Sequence, residues 1–153
     1  MVLSRRLLTS MFASMIALLA ALAVSGSPAA ADPASHGVGT RTELSRCSYS
    51  PWFQCLYYRG DGSGAYWGMG TQRNLNGVFD HDLADNYFFS GTGSGAGAKV
   101  RNAAASMDCD TQVIFTCWSF VFPNEKGNYD YASAGTGGTL FFTWNAGASA
   151  EYI

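Results

Sequence analysis

Charge is scarce in this chain. Only 13% of its 153 residues are Asp, Glu, Lys or Arg, and the formal net charge is −2. There is no basic patch of the kind that binds nucleic acid or an anionic membrane, so neither is expected as a partner. Histidine is limited to His36 and His81, and glutamate to Glu43, Glu125 and Glu151. No signature pairs those glutamates as glycosidase carboxylates. The G-x-S-x-G, H-E-x-x-H and phosphate-loop patterns are missing as well. The expectation is a protein that is not an enzyme. No segment carries a sustained helical period, which sets aside helical folds.

Long apolar runs are also few. The one that exists, Met11 to Val24, follows Arg5 and Arg6 and precedes the small residues Ala29 and Ala31. A basic start, a short apolar stretch and an A-x-A site make a secretory signal peptide, residues 1–31. The run is short for a bilayer span, and no second one follows. The expected mature chain is residues 32–153, with seven basic against eleven acidic residues and a net charge of −4. At 122 residues it suits one domain with its own core. It is expected to be secreted and extracellular, with no membrane contact after cleavage.

What is present is glycine, aromatics and four cysteines. Cys47 and Cys55 bracket "CSYSPWFQC", and Cys109 and Cys117 bracket "CDTQVIFTC", both C-x7-C. An even count in an exported chain points to disulfides. Three connectivities are open, and the equal spacing favours Cys47–Cys55 and Cys109–Cys117, each closing a small loop or hairpin. Zinc ligands come at closer spacing, which weighs against a metal site.

Residues 32–45 read as a flexible leader. Beyond them come short aromatic or β-branched runs: "FQCLYY", "GAYWGM", "NGVFDH", "AKVRNA", "TQVIFTCWSFVF", "GNYDYAS" and "GTLFFTW". Between them lie the turn stretches "RGDGSG", "SGTGSGAG", "PNEKGN" and "AGTGG". "FDHDLADNYFF" suits one helical turn capped by Asp80 or Asp82. The fold class that follows is all-β, a sandwich or barrel.

The chain also repeats itself. "RNAAAS" at 101–106 returns as "WNAGAS" at 144–149, and each copy closes a half that starts with a cysteine, an aromatic strand and a glycine turn. From Cys55 to Asn102 is 47 residues, and from Cys117 to Asn145 is 28, so the first half carries an insert. The halves run over about 46–108 and about 109–153.

"CLYYRGDGSGAYWG", "NLNG" and "GAGAKVRNAAAS" resemble small secreted βγ-crystallin-like proteins of actinobacteria, a group that includes secreted metalloproteinase inhibitors. The resemblance is best over 47–108 and looser over 109–153. It implies a disulfide-braced sandwich of two Greek-key motifs. Tyr57 or Tyr58, Gly62, Gly64 and Ser106 match the first motif, and Phe120 or Phe122, Gly127 and Ser149 the second. In each, the serine ties down a glycine hairpin.

Calcium-binding members of that fold carry [N/D]-[N/D]-x-x-[S/T]-S. Here Asn102 with Ser106, and Asn145 with Ser149, keep two positions. Arg101, Trp144, Ala105 and Ala148 replace the others. Calcium needs about six to eight oxygens, so weak or absent binding is expected, with no cofactor and no other metal.

His81, between Asp80 and Asp82, reads as a solvated acidic turn. Arg59-Gly60-Asp61 spells an adhesion tripeptide but sits where a turn wants Gly-Asp-Gly. Trp52, Trp67, Trp118 and Trp144 read as packing residues. Trp52 is set apart because it follows Pro51 inside a loop that a disulfide would brace. The candidate partner-binding residues are therefore Pro51, Trp52, Phe53, Arg59 and Asp61. The resemblance implies a secreted, monomeric peptidase inhibitor whose partner is an extracellular protease. Its alternatives are a structural or calcium-responsive crystallin-like cell-surface protein and a killer-toxin-like antimicrobial.

Overall fold

The computed structural model describes residues 31–39, 41–42, 52–70, 78–110 and 116–152. The expected signal peptide, up to residue 30, lies outside the described residues. Contacts divide the chain into Met1–Asp32 and Pro33–Ile153, and the account below concerns the second unit.

Among the described residues ten strands form: β1 (Ser35–Gly37), β2 (Arg41–Thr42), β3 (Gln54–Tyr57), β4 (Tyr66–Met69), β5 (Val78–Asp80), β6 (Ser106–Cys109), β7 (Thr116–Phe122), β8 (Lys126–Ser133), β9 (Thr136–Thr139) and β10 (Ser149–Tyr152). They make two five-stranded sheets, ordered β1-β8-β7-β10-β5 and β2-β9-β6-β3-β4. The fold is an all-β sandwich. Leu56 of β3 stands opposite Trp67 of β4 and Met107 of β6. The same apolar cluster takes in Cys117, Ala132, Ala150 and Tyr152 of the other sheet, together with Leu83, Phe88, Val100 and Leu140 from the connections.

Each half lends a strand to the other. β5, from the first half, pairs with β10. β9, from the second, pairs with β6. In both halves the last strand returns beside the first, β6 beside β3 and β10 beside β7. Neither half could complete its sheet alone, so the two repeats make one folding unit.

Residues 32–45 were expected as a flexible leader, but the described part of that stretch supplies β1, parallel to β8, and β2, antiparallel to β9. Two buried carboxylates hold it. His36 Nδ1 meets Asp130 Oδ1 at 3.2 Å. Arg41 Nη1 pairs with Asp108 Oδ1, while Tyr57 OH donates to Asp108 Oδ2 at 2.9 Å. A buried carboxylate needs such partners, and here they come from the chain's early residues.

Two other local readings shift. "AKVRNA" makes no strand and offers one isolated bridge, Tyr87 to Lys99. "GTLFFTW" leaves the sheet after Thr139, because Asp130 collects the N–H groups of Phe141, Phe142 and Thr143 at 3.1, 3.3 and 2.8 Å. The expected helical turn is present as a 3₁₀ turn, Leu83–Asp85, with Asp82 Oδ1 accepting from the amide of Ala84.

Cys109 and Cys117 are bonded, with Cα atoms 5.6 Å apart. They join β6 of one sheet to β7 of the other, so the bridge staples the layers and does not close a hairpin. Cys55 is also disulfide-bonded, and Cys47 lies outside the described residues.

Candidate binding cleft

The Asn-Ala-x-Ala-Ser repeats face each other. The amide of Asn102 donates to Gly147 O at 2.9 Å, and that of Asn145 to Ala104 O at 2.8 Å. Ala105 N reaches Tyr57 O, and Ala148 N reaches Phe120 O, both at 2.8 Å. Asn102 and Asn145 both hold positive φ, 60° and 51°, a region that asparagine tolerates better than most residues. The alanines are small because the chain segments lie against each other there, with Ala104, Ala105 and Ala148 buried.

The serines that end the repeats pin the hairpins. Ser106 Oγ donates to Arg59 O at 2.6 Å. Ser149 Oγ donates to Phe122 O at 2.7 Å and accepts from the amide of Glu125 at 3.1 Å. Thr139 Oγ1 adds a bond to Gly60 O at 2.6 Å. The first hairpin turns through Gly62 and Gly64, with φ of 78° and 79°. Asp61 Oδ1 accepts from the amide of Ser63 at 2.9 Å, an Asx turn. The Ser63 hydroxyl and amide hold the Asp61 carboxyl below its ordinary range. Arg59 Nε donates to Ser94 Oγ at 2.9 Å, which ties the hairpin to the glycine-rich stretch 90–97.

A cleft of about 580 Å³ opens between this hairpin and the second repeat. Tyr58, Arg59 and Asp61 line it on the hairpin side, and Asn102, Trp144 and Asn145 from the repeats. Half of Trp144 is exposed. Its indole N–H is held once the Asn145 amide is turned so that both its ends are satisfied: the oxygen then accepts from Nε1 at 3.1 Å, and the nitrogen donates to Ala103 O at 3.3 Å. The chain matches no family model, no curated protein and no solved structure.

The predicted partner-binding residues divide. Arg59 and Asp61 line the cleft, whereas Trp52 and Phe53 do not. Trp52 is half-buried, packed on Gly68 and against Phe89 at 5.1 Å between rings. Phe53 packs on Gly70 and against Tyr152 at 5.4 Å. Pro51 lies outside the described residues. Trp144 is the tryptophan that the sequence reading underrated. The signal was its alignment with Arg101 in the other repeat, since a position that holds arginine in one copy faces water.

Of the degenerate calcium residues, Asn102 and Asn145 reach the cleft, and Ser106 and Ser149 commit their hydroxyls to backbone. Ala105 and Trp144 line the cleft where the resemblance would have oxygen ligands. Among the described residues no group of three or more His, Cys, Asp or Glu side chains is placed to hold a metal ion.

His81 lies elsewhere, on the edge that β5 forms. Its Nδ1 sits 2.8 and 2.9 Å from the two Glu125 oxygens, and its ring stacks on Phe79 at 5.6 Å. Arg101 Nη1 pairs with Asp82 at 2.9 Å. Burial raises the carboxyl of Glu151, with the negative charge of Glu125 adding to it, and burial raises that of Asp80. Glu43 lies outside the described residues.

Proposed function

We propose that the mature chain is a secreted, non-catalytic binding protein of the βγ-crystallin-like, two-Greek-key kind, acting as an inhibitor of an extracellular peptidase. One observation supports this most. The exposed Arg59–Asp61 turn has consecutive carbonyls, Arg59 O and Gly60 O, each bonded at 2.6 Å to a side-chain hydroxyl of a neighbouring strand. A loop held from beneath in this way enters a cleft already ordered, so little entropy is lost on binding. It also resists the distortion that cleavage requires. Arg59 and Trp144 belong to the residue types that dominate the energetics of protein interfaces.

The test is a titration of purified metallo-, serine and cysteine peptidases with residues 32–153, folded and oxidised. Inhibition of one class is expected, with Arg59→Ala weakening it at least tenfold. Absence of inhibition across the panel at micromolar protein refutes the reading.

A further inference from the structure

The cleft combines features that a peptidase-binding loop does not need. We infer that it is a binding site for a neutral saccharide. The inference does not depend on the peptidase reading.

The first is the aromatic face. Trp144 is half exposed, and its one polar atom is already satisfied by Asn145. The hydrogen bond fixes the ring plane and leaves the indole face for a ligand. The face of an aromatic ring is electron-rich and attracts polarised C–H groups. The flat side of a pyranose ring presents a set of such groups.

The second is the polar complement left over after the protein's own bonds are counted. Among the described residues, the Asn102 side-chain amide and the Tyr58 hydroxyl, both lining the cleft, make no hydrogen bond within the protein. Arg59 spends Nε on Ser94 and keeps its two Nη groups. Asp61 engages Ser63, and a carboxylate has about four acceptor positions, so capacity remains. The cleft thus offers donors and acceptors side by side. Sugar hydroxyls, each both donor and acceptor, match that mixture. A ligand with acceptors alone, such as phosphate, would set charge against Asp61.

The third is the charge balance. Arg59 and Asp61 cancel, and among the described residues no other Asp, Glu, Lys, Arg or His lines the cleft. A wall without net charge selects for a neutral occupant. Its volume, about 580 Å³, falls within the range of about 300–1,000 Å³ that takes small ligands, enough for a short oligosaccharide.

The protein itself is well placed to hold this geometry. Asp130 anchors the turn at 141–143 that precedes Trp144. Ser106 and Thr139 hold the opposite wall. The site is therefore ordered before the ligand arrives, which favours binding.

The experiment uses the oxidised mature protein and a glycan panel: neutral gluco-, manno- and N-acetylglucosamine oligosaccharides beside sialylated, uronic and sulfated ones. Trp fluorescence and calorimetry read the binding, and pull-down on insoluble neutral polysaccharides separates polymer capture from binding of soluble chains. Binding to a neutral class is expected, with a tryptophan emission change. Trp144→Ala and Asn102→Ala should each raise Kd at least tenfold, and Tyr87→Ala, exposed and outside the cleft, should leave it unchanged. If Trp144→Ala fails to fold, Asn102→Ala and Asp61→Asn decide. No binding to neutral glycans at millimolar concentration, a preference for anionic glycans, or binding indifferent to these substitutions would overturn the inference. Loss of peptidase inhibition has no bearing on it.

Discussion

Three buried serines make a quantitative test of how the repeats hold the hairpins. Ser106, Ser119 and Ser149 are all fully buried, so burial alone treats them alike. Their hydroxyls differ. Ser149 Oγ serves two backbone groups, Phe122 O and Glu125 N. Ser106 Oγ serves one, Arg59 O. Ser119 Oγ has no hydrogen-bond partner. Orphaning a buried polar group costs about 1–3 kcal/mol. The bonds to Ser106 and Ser149 are only part-buried, so water recovers some of it and the lower part of that range applies. Ser106→Ala should then cost about 1 kcal/mol. Ser149→Ala should cost about 2 kcal/mol, because it also orphans an N–H, which is harder to leave unpaired than a carbonyl. Ser119→Ala removes an unsatisfied hydroxyl and should be neutral or stabilising by up to about 1 kcal/mol. Denaturant unfolding of the oxidised mature domain reads these differences from the midpoints, provided the m-values agree. In a domain of this size about 1 kcal/mol corresponds to roughly 4 °C in Tm. The ranking Ser149 above Ser106 above Ser119 is the prediction. Equal losses at all three sites, or a Ser119→Ala that destabilises as much as Ser149→Ala, would refute the reasoning.

Other outcomes follow from the same contacts. A Cβ on Gly137 would lie 1.8 Å from Asp108 Oδ1 and 2.6 Å from Met107 O. The backbone oxygen has no room to yield, so Gly137→Ala should cost about 3 kcal/mol, and a loss under about 1 kcal/mol in denaturant unfolding would contradict it. Asp130→Ala strands three amides of the 141–143 turn and the Thr143 hydroxyl. It should destabilise by about 3–5 kcal/mol and redshift Trp144 emission, and a wild-type spectrum and stability would argue against that anchoring role. The Glu151 carboxyl is raised above its ordinary 4.5 by burial and by Glu125. Its contribution is therefore present below the unfolded value and lost as pH rises through the folded one. Glu151→Gln should stabilise the protein at neutral pH and flatten the fall in stability just above pH 4.5. A stability–pH curve parallel to wild type would rule this out.

Reading the chain residue by residue reached the features with local causes. Strands were legible because aromatic and β-branched runs are cut by glycine. A capped turn at Asp80 or Asp82 was legible because a cap needs only the next two residues, and the structure uses Asp82. The Cys109–Cys117 bond was legible from an eight-residue separation. The serine anchors were expected from the resemblance, and the repeat placed one in each half. What escaped were contacts made at long range. Asp108 and Asp130 look like ordinary strand carboxylates until Arg41 and His36 arrive from 67 and 94 residues away. The same contacts turned an expected leader into β1 and β2.

The choice of tryptophan shows the division most sharply. Trp52 and Trp144 both sit among turn-forming residues, and nothing local separates buried from exposed. Gly68, on a neighbouring strand, leaves the hollow that Trp52 fills. Asp130 bends residues 141–143 off the sheet and leaves Trp144 half in water beside the first hairpin. The order of residues alone determined an all-β chain of two related halves, with short strands parted by glycine turns. Their exchange of β5 and β9, and the cleft where one half's hairpin meets the other's repeat, were decided only by tertiary structure. The reason is physical: hydrogen-bond periodicity and turn geometry act within a few residues, whereas sheet order and burial depend on which distant segments share a core.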